Sequence, residues 1–359
     1  MKVAFITRST IFTSPGGDTI QVLKTAKYLR RLNVSIDIKL THEKVNYSDY
    51  DLLHFFNVIR PADILPHIRG HHVPFVVTPL LIDYSEFDKK YRGGIAGKIF
   101  RFFSAEQIEY AKTVARWLKG QQELRSCSYL INGQHHSVKK IIKKAAFLLP
   151  NSQMEYEQIA FRYSMELPYM IIPNGIDEEI FKMKGENKKD EKMILCVARM
   201  EGLKNQLNLI KALKDSSFQL YVIGNYSINQ KRYYDQCRKA AGPNAHFISY
   251  IPQIQLIKYY QRAKVHVLPS WFETCGLSSL EAASMGCNVV IAHKGYVREY
   301  FNDNAFYCDP SSPSSIKAAV EKAAIALPSK EFQQKIFSHF TWQTAADVTY
   351  QAYKKCILL

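Results

Sequence analysis

The sequence lacks the cysteine pairs that a disulfide framework or a zinc site requires. Its seven cysteines are scattered, odd in number and without a C-x-x-C pair. Disulfide-rich domains and zinc ribbons place their cysteines at short, regular spacings. We therefore exclude both classes and predict a protein of the reducing cytoplasm.

Long apolar runs are also missing. A membrane-spanning helix needs roughly 18 or more consecutive apolar residues, whereas one of the longest apolar runs, 74–82, is far shorter and contains Thr78 and Pro79. The opening segment 1–7 has neither the apolar length nor the cleavage pattern of a signal peptide. The sequence therefore predicts a chain that does not span a membrane.

Short apolar runs separated by segments of helical spacing occur in both halves of the chain. The apolar runs that predict strands are 3–6, 52–58, 74–78, 193–197, 219–223, 246–251, 265–268 and 288–292. In 34–40 apolar and polar residues alternate, which is also typical of a strand. Strands that alternate with helices indicate a parallel sheet with helices on both faces. We predict an α/β protein with two Rossmann-like, doubly wound domains, whose ligands bind at the carboxyl ends of the strands.

The chain of 359 residues is too long for one compact core and suits two domains. The polar, highly charged segment 182–192 has no apolar period and is the predicted linker. We expect a first domain over 1–181, a second over 193–339, and a terminal helix over 340–359.

The segment after the first predicted strand contains Gly16 and Gly17, followed by Asp18-Thr19-Ile20-Gln21. The last four residues resemble a capping box, in which Asp18 accepts from the backbone and Gln21 reaches back. The glycines do not form G-x-G-x-x-G, which counts against a dinucleotide dehydrogenase.

The most informative stretch is 267–286, in which a predicted strand ends at Pro269, a loop carries Glu273, and a helix begins near Gly276. Free backbone amides at a helix start attract anions such as phosphate. Glu281 lies about one and a half turns into the helix, and a carboxylate suits the vicinal hydroxyls of ribose and sugar rings. This arrangement matches the needs of a nucleotide-sugar.

The same stretch resembles the retaining glycosyltransferases of family four, which have the two-domain GT-B fold. Glu273 and Glu281 match the E-x7-E signature inside a P-S-x-x-E-x-x-G-L-x-x-x-E-A frame. The alternative is a solvated acidic helix face. The resemblance implies two domains facing a central cleft and a UDP-sugar or GDP-sugar donor that is a substrate. It implies no cofactor and no metal.

Further segments resemble the family in the expected order. In 197–205, Arg199 and Lys204 match the residues that clamp the donor diphosphate; the alternative is two surface cations. Segments 171–177 and 340–342 resemble the family's I-P-N-G-V-D and F-S-W segments, and the terminal helix is expected to cross back to the first domain. The resemblance implies catalytic roles for Glu273, Arg199 and Lys204, and donor binding by Gly16, Gly17, Thr274, Cys275, Gly276, Leu277 and Glu281. Gly16 and Gly17 fit a plain turn equally well.

The acceptor side departs from the family, because no histidine follows the predicted strand 74–78. His54 and Asp83 are the candidates near the acceptor, although a lone histidine in a strand is more often a hydrogen-bonded structural residue. Asp49-Tyr50-Asp51 has a D-x-D form, to which we assign no metal. Cys356 begins a C-a-a-X ending, but the end of an amphipathic helix is the favoured interpretation.

Positive charge is concentrated in one segment. The chain carries 48 Lys and Arg against 32 Asp and Glu, a net charge of +16, of which +10 lies in the aromatic-rich segment 89–144. Lys98-Ile99-Phe100-Arg101-Phe102-Phe103 is typical of surfaces that contact anionic lipid headgroups. Solvated helix faces are the alternative, and no nucleic-acid-binding module is present in the sequence.

The sequence thus predicts a retaining, metal-independent glycosyltransferase that moves a sugar from a nucleotide-sugar to a hydroxyl acceptor. The expected acceptor is a lipid-linked or cell-surface glycan precursor of the lipopolysaccharide, O-antigen or capsule type. We expect a cytoplasmic protein, peripheral on an anionic membrane, that does not bind nucleic acid. The alternatives are a sugar-nucleotide epimerase or hydrolase of the same fold, and a non-catalytic basic scaffold or nucleic-acid-binding protein.

Overall fold

The computed structural model describes residues 1–120, 123–124, 127–181 and 188–358, and the chain forms two compact units. The first comprises Met1–Asn174 and Trp342–Leu359, and the second Gly175–Thr341. The first unit therefore ends at residue 174 rather than 181, because Ile176 N–H already donates to the carbonyl of Phe340 in the second unit, at 2.8 Å. Residues 182–187 of the predicted linker lie outside the described residues, and 190–192 belong to a strand.

The first unit is built on a parallel sheet of five strands, in the spatial order β2-β1-β3-β4-β5. The strands are β1 Lys2–Thr7, β2 Ser35–Leu40, β3 Leu52–Phe56, β4 Phe75–Thr78 and β5 Phe147–Leu148. The helices that precede the second unit are α1 Gly17–Arg31, α2 Pro61–Ile64, α3 Ser85–Lys90, α4 Gly94–Phe100, α5 Ala105–Leu118, α6 Ser128–Lys144 and α7 Gln153–Tyr163.

The second unit has a parallel sheet of six strands, in the order β11-β10-β9-β6-β7-β8. The strands are β6 Asp190–Val197, β7 Gln219–Ile223, β8 Ala245–Ile248, β9 Ala263–Leu268, β10 Asn288–Ala292 and β11 Phe306–Cys308. The helices are α8 Gln206–Leu213, α9 Lys231–Ala240, α10 Gln253–Arg262, α11 Leu277–Ser284, α12 Val297–Phe301, α13 Pro313–Ile325 and α14 Lys330–His339. The predicted pair of doubly wound sheets is confirmed.

The final helix, α15 Trp342–Ile357, returns to the first unit. Its Tyr353 hydroxyl lies 2.6 Å from His54 Nδ1 on β3. Cys356 is buried on this helix, and burial raises the pKa of its thiol to about 11. The helical interpretation of the C-terminal residues therefore fits the structure. None of the described helices is both long and apolar enough to cross a bilayer.

The central strands are buried because helices cover both faces of each sheet. Every residue of β3, β4, β9 and β10 is buried. In such a sheet there is one pair of neighbouring strands from which the helical connections run to opposite sides, and this leaves a crevice at the carboxyl ends of that pair. In the second unit the pair is β6 and β9.

Helix α1 begins earlier than predicted. Gly16 is its N-cap, and Thr19 Oγ1 accepts from Gly16 N–H at 2.9 Å. Gln21 does not reach back to cap the helix; it is buried, and its Nε2 donates to Asn151 Oδ1 at 2.9 Å. Asp18 accepts from Arg8 at 2.6 Å. Asp18 also accepts from the backbone N–H of Thr19 at 2.9 Å, as predicted. The second half of the predicted capping box was wrong, because Gln21 is buried and does not reach back.

Candidate active site

The loops that follow β6 and β9 lie side by side in the second unit, since these strands are neighbours. Asn205 Nδ2 donates to the carbonyl of Pro269 at 3.0 Å, and Trp271 N–H donates to the carbonyl of Leu203 at 2.9 Å. These two hydrogen bonds join the loop after β6 to the loop after β9. The sequence analysis did not identify Asn205 as the residue that links them.

The joined loops place Lys204 against Glu273. Lys204 Nζ lies 2.6 Å from Glu273 Oε1, with the two side chains 20% and 12% exposed. A charge-assisted hydrogen bond of this length is strong. An ammonium has three donors, so a lysine can contact more than one acceptor at the same time.

The carbonyl of Glu273 is fixed by the loop after β10. Tyr296 N–H donates to it at 2.9 Å, and Gly295 packs so closely that a Cβ atom would lie 2.0 Å from it. Gly295 has φ +82°, a backbone conformation that favours glycine. Sequence reasoning missed this residue; the available signal was a lone glycine shortly after the buried strand 288–292.

Helix α11 begins directly after a glycine turn. Gly276 is its N-cap with φ +67°, and the first amides of a helix have no intrahelical acceptor. The helix dipole favours an anion beside these amides. Cys275 is buried in the core, whereas Thr274 and Leu277 are partly exposed.

Glu281 is held on the buried side of α11, with 7% of its surface exposed. It accepts hydrogen bonds from Gln253 Nε2 at 2.6 Å and from the Tyr260 hydroxyl at 3.0 Å. Burial, followed by the charge of Glu281, raises the pKa of Tyr260 well above its usual range, so Tyr260 remains a donor. The alternative of a solvated acidic face is therefore wrong for Glu281. The sequence analysis missed both partners on α10.

Arg199 is more exposed than Lys204, the other predicted cation. Its guanidinium lies 3.2 Å from Glu201 Oε1, and its side chain is 49% exposed. Its backbone carbonyl accepts from Gln206 Nε2 at 2.8 Å. The start of α8 thus fixes the backbone, while the guanidinium is accessible to an anion.

The candidates of the first unit have separate surroundings. His54 is 1% exposed and hydrogen-bonded to Tyr353 and to Thr78 Oγ1, the latter at 2.8 Å. Burial lowers the pKa of His54 to about 3, so the side chain is neutral. His54 is a structural residue and is not accessible to a sugar acceptor. In the D-x-D segment, Asp51 accepts from the backbone N–H of Lys2 at 2.7 Å.

Gly16 and Gly17 lie at the start of α1 in the first unit. Gly16 has φ −150°, which other residues also adopt, so its backbone does not require glycine. Asp83 is partly exposed and forms an ion pair with Arg162 at 2.6 Å. Burial alone would raise the pKa of Asp83, but hydrogen bonds from Ser85 and the charge of Arg162 outweigh it and lower the pKa.

Residues 177–334 match the family described as glycosyl transferases group 1. This match covers most of the second unit and less than half of the chain. The matched region contains Arg199, Lys204, Glu273 and Glu281, that is, the whole cluster described above for the second unit.

A curated relative aligns with part of the chain. The chain is 26% identical over 238 residues to the glycogen synthase of Mycobacterium tuberculosis. The aligned region covers 62% of this chain and 58% of the relative. The alignment thus spans less than two thirds of that relative's length.

Two solved structures share the fold over nearly the whole chain. Sucrose-phosphate synthase from Thermosynechococcus elongatus has a TM-score of 0.75 at 14% identity, covering 99% of this chain and 98% of that one. Anabaena HepE in complex with UDP and glucose has a TM-score of 0.68 at 14% identity, covering 99% of both chains. The two-unit parallel α/β architecture is the GT-B fold.

Proposed function

We propose that the protein is a retaining glycosyltransferase that moves a sugar from a nucleoside diphosphate sugar to a hydroxyl group of an acceptor. The observation that carries this proposal is the contact between Lys204 and Glu273 at the carboxyl edge of the second sheet. Glu273 lies in the loop that leads into α11, and the helix itself carries Glu281. A cation, free helix amides and two carboxylates are what a diphosphate attached to two sugars requires.

In this proposal each group has one role. Arg199 and Lys204 stabilise the negative charge that develops on the departing diphosphate, as preorganised donors do in a site that excludes water. The amides between Thr274 and Leu277 contact the same phosphates. Glu273 accepts from the transferred sugar and Glu281 from the ribose. Gly16 and Gly17 are proposed to contact the donor from the first unit.

The proposed reaction replaces one bond to the anomeric carbon with another on the same face. The bond from that carbon to the phosphate oxygen breaks, the bond to the acceptor oxygen forms, and the acceptor proton passes to the departing phosphate. The scheme follows from the resemblance to retaining enzymes, and it needs no protein nucleophile, metal ion or cofactor. UDP is the first donor nucleotide to test because HepE was solved with UDP and glucose; GDP is the second.

Nucleotide binding and turnover test this proposal together. A thermal-unfolding panel of UDP, GDP and their sugars should show stabilisation by one nucleotide, about 2.7 kcal/mol at 100 times its dissociation constant. Glu281→Ala and Arg199→Ala should lose most of that stabilisation and of the turnover, whereas Arg232→Ala, an exposed arginine on α9, should retain both.

The outcomes also separate the alternatives. Wild-type turnover in both Glu281→Ala and Arg199→Ala would reject this site. Release of nucleoside diphosphate without an acceptor would indicate a hydrolase, and isomerised nucleotide-sugar an epimerase. Absence of stabilisation by every nucleotide would favour a scaffold or a nucleic-acid-binding protein.

We further propose a lipid-linked or cell-surface glycan precursor as acceptor, with the protein bound to the cytoplasmic face of an anionic membrane. The support is the surface around α4. Phe102 is 88% exposed, and Ile99 and Phe103 are also exposed. The exposed cations Lys98 and Arg101 directly precede Ile99 and Phe102 in the chain. Exposed apolar side chains among cations favour anionic lipid headgroups.

Vesicle sedimentation tests the membrane proposal. The protein should sediment with phosphatidylglycerol-containing vesicles at low salt and less with pure phosphatidylcholine vesicles, because charge attraction is screened by salt. Phe102→Ser should reduce binding. Ile228→Ser is the matched control, since Ile228 is an equally exposed apolar residue of the second unit. Equal binding to both vesicle types would reject the proposal.

A further inference from the structure

The two oxygens of the Glu281 carboxylate have different surroundings. Oε1 accepts from Gln253 Nε2 at 2.6 Å, and Oε2 accepts from the Tyr260 hydroxyl at 3.0 Å. Gln253 is partly exposed, whereas Tyr260 is fully buried. The carboxylate therefore has an outer oxygen, beside Gln253, and an inner oxygen, beside Tyr260.

Both donors to this carboxylate belong to one helix, α10. Gln253 is its first residue, and Tyr260 lies in its last turn. Residues seven positions apart are about two turns from each other and lie on the same face of a helix. One face of α10 thus holds both oxygens of Glu281, so the orientation of the carboxylate depends on that of α10.

Lys189 fastens α10 to α11, the helix that carries Glu281. Its Nζ donates to the carbonyls of Tyr260 and Met285, both at 2.8 Å. Tyr260 lies in the last turn of α10, and Met285 is the C-cap of α11. Carbonyls at a helix C-terminus have no intrahelical donor, and a cation is favoured there. The two helices are therefore held together at their C-terminal ends as well as through Glu281.

This support matters for the recognition of a ribose. A glutamate side chain has several rotatable bonds, and ordering such a side chain when a ligand binds costs free energy. The two donors on α10 order Glu281 during folding instead. The two neighbouring hydroxyls of a ribose can each donate to a carboxylate, so the strength of this contact depends on the plane in which the carboxylate is held.

We propose that Gln253 and Tyr260 are positioning residues that orient the Glu281 carboxylate for the 2′ and 3′ hydroxyls of the donor ribose, with Gln253 on the side from which the ribose arrives. The inference rests on the proposed glycosyltransferase function and adds the residues that make the site selective for a ribonucleotide. Loss of either donor leaves Glu281 in place but less restricted in its rotation. Binding then weakens only for nucleotides that carry these hydroxyls.

The test compares the binding of UDP and of 2′,3′-dideoxy-UDP to the full chain by calorimetry, with GDP and 2′,3′-dideoxy-GDP as the second pair. The unsubstituted chain should bind UDP at least about tenfold more tightly, the usual effect of a hydrogen bond to a charged group. Gln253→Met, which keeps the length of the side chain without its amide, should weaken UDP binding about tenfold and leave dideoxy-UDP binding unchanged. Gln255→Met, an exposed site on the same helix, should change neither.

Tyr260→Phe, which removes only the hydroxyl, should show the same selective loss and decides the matter if Gln253→Met does not fold. The inference alone is overturned if a nucleotide binds but the unsubstituted chain does not prefer it to its dideoxy counterpart. The same holds if the variants weaken both nucleotides equally, as a general structural effect would, or behave like Gln255→Met. If neither UDP nor GDP binds, the proposed glycosyltransferase function fails and the inference fails with it.

Discussion

Two ion pairs of equal length lie at the carboxyl edges of the two sheets. Lys204 and Glu273 are 2.6 Å apart in the second unit, and Arg162 and Asp83 are 2.6 Å apart in the first. The second-unit pair joins two loops that follow neighbouring strands. The first-unit pair joins a loop to α7, the helix that also carries Glu155. One pair is thus built between strand ends, and the other between a helix and a strand end.

The loops that carry the two ion pairs are held in place by different kinds of contact. In the second unit, the side-chain amide of Asn205, the backbone N–H of Trp271 and the close packing of Gly295 fix the loops that carry the charged groups. In the first unit, the carboxylate of Glu155, which is fully buried on α7, holds the loop after β4 by accepting from Leu81 N–H at 2.7 Å. We therefore expect substitutions to act mainly on chemistry in the second unit and mainly on loop position in the first.

The largest effect is expected for Lys204→Ala. Removal of one preorganised charge at a developing oxyanion lowers kcat by about 10²–10³, and Glu273 also loses its ion-pair partner. Steady-state release of nucleoside diphosphate in the presence of acceptor measures this. Lys211→Ala, an exposed lysine on α8, is the control, and equal rates for the two variants would contradict the role of Lys204.

Gly295→Ala tests whether backbone contact supports the second-unit pair. The left-handed φ and the overlap with the Glu273 carbonyl should together lower the free energy of unfolding by about 2–3 kcal/mol and reduce turnover. Gly70→Ala in the first unit is matched, since Gly70 has φ +77° but no atom within 4 Å of an added Cβ. Chemical denaturation should show a cost of only about 1–2 kcal/mol there; a cost equal to that of Gly295→Ala would argue against the close contact.

Glu155→Gln tests the support of the first-unit pair. The backbone N–H groups of Leu81 and Asn151 both donate to the Glu155 carboxylate. In the variant one of them would lose its charged acceptor, which should lower the unfolding free energy by about 2 kcal/mol. The KM for the acceptor should rise while nucleotide binding is unchanged. Glu157→Gln, an exposed site on the same helix, should change neither. A shift in nucleotide affinity without any change in acceptor KM would contradict the assignment of Glu155 to the first-unit loop.

The smallest effect concerns pH and involves one buried histidine from each unit, His54 and His266. Burial lowers the pKa of His54 in the first unit and of His266 in the second to about 3. In the unfolded chain histidine titrates near pH 6.5, so below that pH the unfolded state binds more protons. Stability should therefore fall as pH drops from about 6.5 towards 3, by at most about 1.4 kcal/mol per pH unit for each histidine.

Urea denaturation across this pH range measures the slope. His54→Asn should flatten the pH dependence by about one histidine's share, and His266→Asn should do the same for the second unit. Slopes identical to that of the unsubstituted chain in both variants would show that carboxyl groups, and not these histidines, control the acid sensitivity.

The strand pattern was readable from the sequence because buried parallel strands leave continuous apolar runs. All nine predicted strands occur in the structure. The strands β5 and β11 were missed because they have only two and three residues. The start of α1 was misjudged because Gln21, a polar residue, is buried by contacts with Asn151, 130 positions away.

The second-unit cluster was suggested by the sequence because its members fall in two short segments, 199–204 and 273–281. Its supports were not identified, since Gly295, Gln253 and Tyr260 belong to other elements and only Gly295, a lone glycine after a buried strand, has a local signal. The first-unit ion pair was not visible in the sequence, because Arg162 and Asp83 lie 79 positions apart. His54 was assigned to the acceptor side because its strand position was visible and its burial under α15 was not.

The sequence by itself determined the α/β class, the two parallel sheets and the segments that carry Arg199, Lys204, Glu273 and Glu281, because apolar periodicity and turn residues act over short distances along the chain. Tertiary contacts were needed to establish where the first unit ends and which carboxylates are buried or paired. These properties depend on contacts between residues tens to hundreds of positions apart, which no local pattern records.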